Sequence, residues 1–144
     1  MQIYLEQEIQ LESNIRNLQP FSRFLKCAAL ASGKLINYQN IANDVGLSAN
    51  TIAEYFQILE DTLLGFRLEP WLESKKRKAI QTAKFYFFDI GIANFISEKN
   101  LVLPNSVEWG NNFEQFIIME IRAWNMYFQK RKKIIFGEIK VNMK

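Results

Sequence analysis

Apolar side chains recur every three or four residues up to about residue 61, crowd into two short runs, then return to helical spacing. In "IYLEQEIQLESNIRNLQ" the residues Ile3, Leu5, Ile9, Leu11, Ile15 and Leu18 predict one or two short helices. These should end before Pro20, because a proline pushes the preceding residue out of the α region. In "FSRFLKCAALASG" one helical face collects Phe21, Phe24, Leu25, Ala28 and Ala29, with Gly33 as the stop. Asn37 can cap a short helix from Tyr38 to about Asp44 whose inward residues are Ile41, Ala42 and Val45. Gly46 then supplies a turn, and Ser48 caps a helix to about Asp61 with Ile52, Phe56 and Leu59 as its buried stripe. Its exposed positions should be Asn50, Thr51, Glu54, Tyr55, Gln57 and Ile58.

The period changes after that helix. "LLGFRLEPWL" (63–72) and "AKFYFFDIG" (83–91) are apolar-aromatic runs separated by the polar "ESKKRKAIQT". Two strands joined by a charged loop, directly after a helix-turn-helix, predict a β-wing. A short helix at about 90–98, a loop with Pro104 and Asn105, and a long helix from about Trp109 to Gln129 follow. In the long helix Phe113, Phe116, Ile117, Met119, Ile121 and Trp124 cover more than one face, which predicts that it is well buried. "KIIFGEIKV" closes the chain as a short strand pattern. The expected class is α+β, mainly α: a winged helix-turn-helix with a two-stranded wing, plus a C-terminal long helix and a short terminal strand.

Composition narrows the chemistry. The 144 residues suffice for one domain or two small ones, and half of them are hydrophobic, as in a globular chain. There is no histidine, which excludes His-based acid–base catalysis, Ser-His and Cys-His pairs and histidine metal sites. Cys27, the one cysteine, sits in "FLKCAALA" and suits a small core residue better than a reactive thiol. No signal peptide and no membrane-length apolar stretch is visible, so a cytoplasmic protein without membrane contact is expected.

A net charge of +3 says little, but its placement says more. Eight of the eighteen basic residues fall in "KKRK" at 75–78 and "KRKK" at 130–133, and none lies between Lys34 and Arg67. A helix that reads the major groove needs basic support on phosphates beside its base contacts. Asn50 and Gln57 carry the amides that pair with adenine, and Glu54 can accept from cytosine. Yet Asp44, Glu54, Glu60 and Asp61 are the charges around them. The helix-turn-helix is therefore expected to be scaffold or a protein-docking surface rather than an independent DNA reader. Lys75, Lys76, Arg77 and Lys78 in the wing keep a weak nucleic-acid contact open. The run Lys130–Lys133 follows a helix C-terminus, where cations stabilise the macrodipole without any ligand.

The order "YLEQEI" (4–9), "RFLKCAALASGKLINYQNIANDVGLSANTIAEYFQILEDTLLGFRLEPW" (23–71), "AKFYFFDIGIANFI" (83–96) and "WGNNFEQFIIMEI" (109–121) resembles a large prokaryotic family. These are AAA+-type ATPases whose C-terminal half is a domain of unknown function. The resemblance implies a winged helix followed by a restriction-endonuclease-like part, behind a P-loop ATPase. It divides the chain into a helical linker to the ATPase at 1–20, a winged-helix domain at 21–98, and an incomplete nuclease-like helix and strand at 99–144. No G-x-x-x-x-G-K-[ST] occurs in the sequence, so the chain is expected to be the accessory half alone and to need no cofactor.

Nuclease-like folds of that kind use a helix acid, an Asp and Glu-x-Lys around a divalent ion. Glu114 and Glu120 are the helix candidates, and Glu138 and Lys140 the strand candidates. The middle acid is missing, since no aspartate follows Asp89, so neither a catalytic nor a metal site is expected. The leading expectation is a non-catalytic accessory or regulatory module that contacts an ATPase domain or another protein. The alternatives are a DNA-binding module using the basic wing and a degenerate metal-dependent nuclease remnant. A nuclease-like half this short should leave Phe113, Phe116, Trp124, Tyr127 and Phe128 short of partners, which predicts a homo-oligomer.

Overall fold

The computed structural model describes residues 18–71, 83–99, 102–130 and 132–137. Within them the chain is α+β and mainly helical, with five helices and a three-stranded sheet. Helix α1 (Leu18–Leu30) buries Phe21, Phe24, Leu25, Ala28 and Ala29, the face its spacing predicts. It takes in Pro20 rather than starting beyond it.

Helix α2 (Tyr38–Val45) is capped by Asn37, whose side chain accepts from the Asn40 N–H at 3.0 Å. Gly46, at φ 77°, lets the chain reverse in the left-handed region. Ser48 then caps α3 (Ala49–Asp61), accepting from the Thr51 N–H at 3.1 Å. The buried residues of both helices, Ile41, Ala42 and Val45 on α2 and Ile52, Phe56 and Leu59 on α3, are those expected. Two positions expected to be free on α3 are not. Tyr55 packs its ring edge-on to Phe21 at 5.0 Å and against Phe24 at 5.2 Å, and Ile58 also joins the core. The helix is wrapped on more of its circumference than a three-residue stripe implies.

Strands β1 (Gly65–Pro70) and β2 (Lys84–Phe87) pair antiparallel, with Phe66 opposite Tyr86 and Leu68 opposite Lys84. The segment before α2 lies along the free edge of β2: the Gly33 N–H donates to the Phe85 carbonyl and the Ile36 N–H to the Ala83 carbonyl. The pleat divides the aromatics between two faces. Phe85 and Phe87 face α1–α3, where Phe56 meets Phe85 at 4.9 Å. Phe66, Leu68 and Tyr86 face the other way and form a second, smaller core.

Helix α4 (Ile90–Ile96) is capped by Asp89, and α5 (Val107–Tyr127) by Ser106. The closing strand β3 (Ile135–Phe136) runs parallel to β1, giving the order β2-β1-β3. Helix α5 covers the second core with Ile118 and Met119, and Ile134 and Phe136 complete it. The expectation that α5 is well buried is wrong: Gln115 is its one buried residue. A single small sheet offers only one surface to pack on, so the rest of the helix faces outward.

Candidate functional site

The polar face of α2 and α3 is built almost entirely from acids and amides. Asn43, Asp44, Asn50, Glu54 and Gln57 are exposed there. Arg23 on α1 donates from Nη2 to the Val45 carbonyl at 3.2 Å, and Arg67 on β1 is committed to α3. Its Nε donates to Glu60 Oε2 at 2.8 Å, its Nη2 bonds the same oxygen, and its backbone N–H reaches Glu60 Oε1 at 2.6 Å. The hydrogen bond to Glu60 drives the Arg67 pKa above its already high ordinary value, against the opposing effect of burial.

Gln57 is bound into the same cluster, accepting from Arg67 Nη2 at 2.5 Å and donating to Asp61 Oδ1 at 2.9 Å. One bond on each half of its amide fixes the orientation of the Gln57 side chain toward Arg67 and Asp61. Asn50 stands exposed in the first turn of α3. Lys75, Lys76, Arg77 and Lys78 lie outside the described residues.

The nuclease candidates separate. Glu114 accepts from Lys84 Nζ at 2.8 Å and from Tyr86 Oη at 2.5 Å, which ties α5 to β2. Burial raises the Glu114 pKa, but the bonds from Lys84 and Tyr86 outweigh it and hold the carboxyl below its ordinary value. The Tyr86 phenol is pushed far above its ordinary value, first by burial and then by Glu114, so it remains a donor. Glu120 is exposed, a third of a turn around the helix from Glu114. Glu138 and Lys140 lie outside the described residues. Among the described residues no group of three or more His, Cys, Asp or Glu converges as a metal site. Cys27 is half-buried; burial and then Asp44 raise its pKa, keeping the thiol protonated.

Helix α5 carries apolar side chains on both of its faces. Toward the sheet it presents Gln115, Ile118, Met119 and Arg122. Gln115 is 3% exposed, with Nε2 donating to the Phe87 carbonyl at 2.7 Å and Oε1 accepting from Ser32 Oγ at 3.2 Å. The Arg122 guanidinium lies over the Phe66 ring at 3.7 Å. Away from the sheet it presents Trp109, Phe113, Phe116, Ile117, Ile121 and Trp124, each between 39% and 52% exposed. Steps of three and four residues keep these six on one continuous stripe. Tyr127, the last helical residue, and Phe128 beyond it extend the apolar surface.

The family model of a domain of unknown function (DUF8612) matches residues 1–101. The chain belongs to this family. No curated protein and no solved structure shows significant similarity to it. The DUF8612 match takes in α1 to α4 and both strands of the antiparallel pair, and it stops before α5 begins at Val107. No helix among the described residues is long and apolar enough to cross a membrane.

Three pairings in this DUF8612 chain escape a reading of the sequence: Arg67 with Glu60, Tyr86 with Glu114, and Gln115 with Phe87. The last two join segments that meet only across the sheet, and the first joins the end of α3 to the strand that follows it. The one available signal is a polar residue where the period demands an apolar one, and Gln115, between Glu114 and Phe116, carries it weakly.

Proposed function

We propose that this DUF8612 chain is a non-catalytic accessory module that works by protein–protein contact, with the outward stripe of α5 as its docking surface. In this reading α2, the Gly46 turn and α3 form a helix-turn-helix, and β1 and β2 are the strands of its wing, so residues 21–98 are a winged helix used as scaffold. The observation that carries it is the second apolar face of α5: Ile118 and Met119 already cover the sheet, and two tryptophans, two phenylalanines and two isoleucines on the opposite face meet water. Contiguous apolar surface of this extent marks an interface on a globular protein. The acidic face of α3, with Arg67 neutralised by Glu60, favours a protein partner over phosphate. The sequence resemblance to AAA+-type ATPases makes an ATPase module the expected heterologous partner, and a second copy of the chain the partner that is testable at once.

Sedimentation equilibrium of the full chain across the micromolar range should show a dimer or larger species. The Phe116→Asp, Trp124→Asp double variant should sediment as a monomer with unchanged far-UV circular dichroism. A wild-type monomer at every concentration removes the self-contact. Duplex DNA binding at physiological salt that is lost when Lys75–Lys78 are neutralised would move the assignment to nucleic acid.

A further inference from the structure

The second basic run does more than trail a helix end. Beyond α5 the chain turns back toward β1, and Asn125 fixes the return: its Nδ2 donates to the Lys132 carbonyl at 2.8 Å and its Oδ1 accepts from the Lys132 N–H at 3.1 Å. The turn encloses a cleft of about 300 Å³ between β1, the last turns of α5 and the segment leading to β3. Among the described residues Arg67, Arg122, Lys132 and Lys133 line it, and Glu69 is the one carboxylate in the lining.

The four cations are not equivalent. Arg67 is held by Glu60 and Gln57 and forms a fixed wall. Arg122 is oriented by stacking on Phe66, and among the described residues no carboxylate forms an ion pair with it. Burial lowers its pKa despite the nearby charge of Glu60, a sign that the guanidinium sits partly desolvated and undercompensated. Lys132 and Lys133 are exposed, and neither forms an ion pair with a described residue. Cations gathered around a concavity repel one another unless an anion joins them. The macrodipole explains cations at this end of α5, but it does not explain why they converge with Arg122 on one cleft. The helix end itself opposes an anion only weakly, because the carbonyls of Trp124, Asn125 and Met126 already accept from Phe128, Lys130 and Gln129.

We propose that this cleft is a binding site for a phosphorylated ligand, with Arg122 as the oriented fork and Lys132 and Lys133 as exposed point charges on its rim. A guanidinium stacked on one face still offers its in-plane N–H edges, the geometry that grips two phosphate oxygens at once. A multiply charged phosphoryl group answers several cations where a single carboxylate answers one. The volume accommodates a phosphoryl group together with part of the molecule that carries it.

The test is titration of the full chain with inorganic pyrophosphate at low ionic strength, read by calorimetry and by the backbone amide shifts of Asn125, Lys132 and Lys133. Saturable binding that moves those amides is expected. Lys132→Gln with Lys133→Gln should weaken it by about tenfold or more. Arg122→Lys, which keeps the charge and loses the fork, should weaken it several-fold. The lysine side chains are exposed, so unchanged far-UV circular dichroism is expected for the pair variant, and its result stands even if an Arg122 variant is unstable. A mononucleotide that binds more tightly than pyrophosphate, with the same sensitivity to the variants, identifies a free nucleotide as the source. A short single strand that does so identifies a nucleic-acid backbone. Absence of saturation at millimolar pyrophosphate, or an affinity indifferent to the lysine pair, overturns the proposal.

Discussion

Gly65 opens β1 at a point where a Cβ atom would lie 2.7 Å from the Tyr86 carbonyl oxygen and 2.2 Å from Phe85 Cζ. Gly65→Ala should therefore destabilise the fold by about 1–3 kcal/mol, the usual cost of overpacking a rigid core, as measured by urea denaturation. Glu114 gives a second single-residue expectation. Its folded pKa lies below the ordinary value of 4.5, so its contribution is fully present above that value. It fades as pH falls through the lower folded value, because the unfolded chain then takes up the proton first. Glu114→Gln should flatten the acid limb of a stability–pH profile below about pH 4.5 and leave its alkaline side unchanged in slope. A profile identical to wild type in acid would mean that the contact with Lys84 and Tyr86 adds nothing.

Elements differ in how they are held. Helices α1, α2 and α3 each lay one apolar face on a shared core, and their ends are closed by local devices such as Asn37, Gly46 and Ser48. Helix α5 is held by a few points instead: Ile118 and Met119 on the sheet, Gln115 on Phe87, Glu114 on Tyr86 and Lys84. The Gln115 bond supplies a buried carbonyl with its donor, and a buried carbonyl left without one is costly. Gln115→Leu should cost about 1–3 kcal/mol despite adding an apolar side chain in a buried place. Hydrogen exchange should show the loss first in α5, ahead of α3, since α5 has the fewest alternative anchors.

For the whole molecule, the sheet is the divider. One face closes a complete core with α1–α3, and the other carries a thin one under α5, whose outer surface remains apolar. If that surface is covered by a second copy, folding and association are linked, and thermal stability depends on protein concentration. A tenfold rise in concentration should raise Tm by roughly 2–4 °C for a chain of this size. The Phe116→Asp, Trp124→Asp variant should lose the dependence. A Tm that ignores concentration in the wild type would count against self-contact through α5.

The local pattern by itself determined the caps Asn37 and Ser48, the Gly46 reversal, and every buried residue of α1, α2 and α3. Those features are set within a turn or two of the chain, and a one-sided apolar stripe has only one way to face a core. Only the tertiary structure decided the phase of α5. A helix apolar on several sides carries no signal for which side packs, and a small sheet with room for one face made the choice. The parallel docking of β3 on β1, the capture of Gln57 by Arg67, and the meeting of Arg122 with Lys132 and Lys133 were likewise beyond the sequence. Each joins side chains from segments brought together by the sheet, and charge or hydrogen-bonding capacity alone does not name its partner.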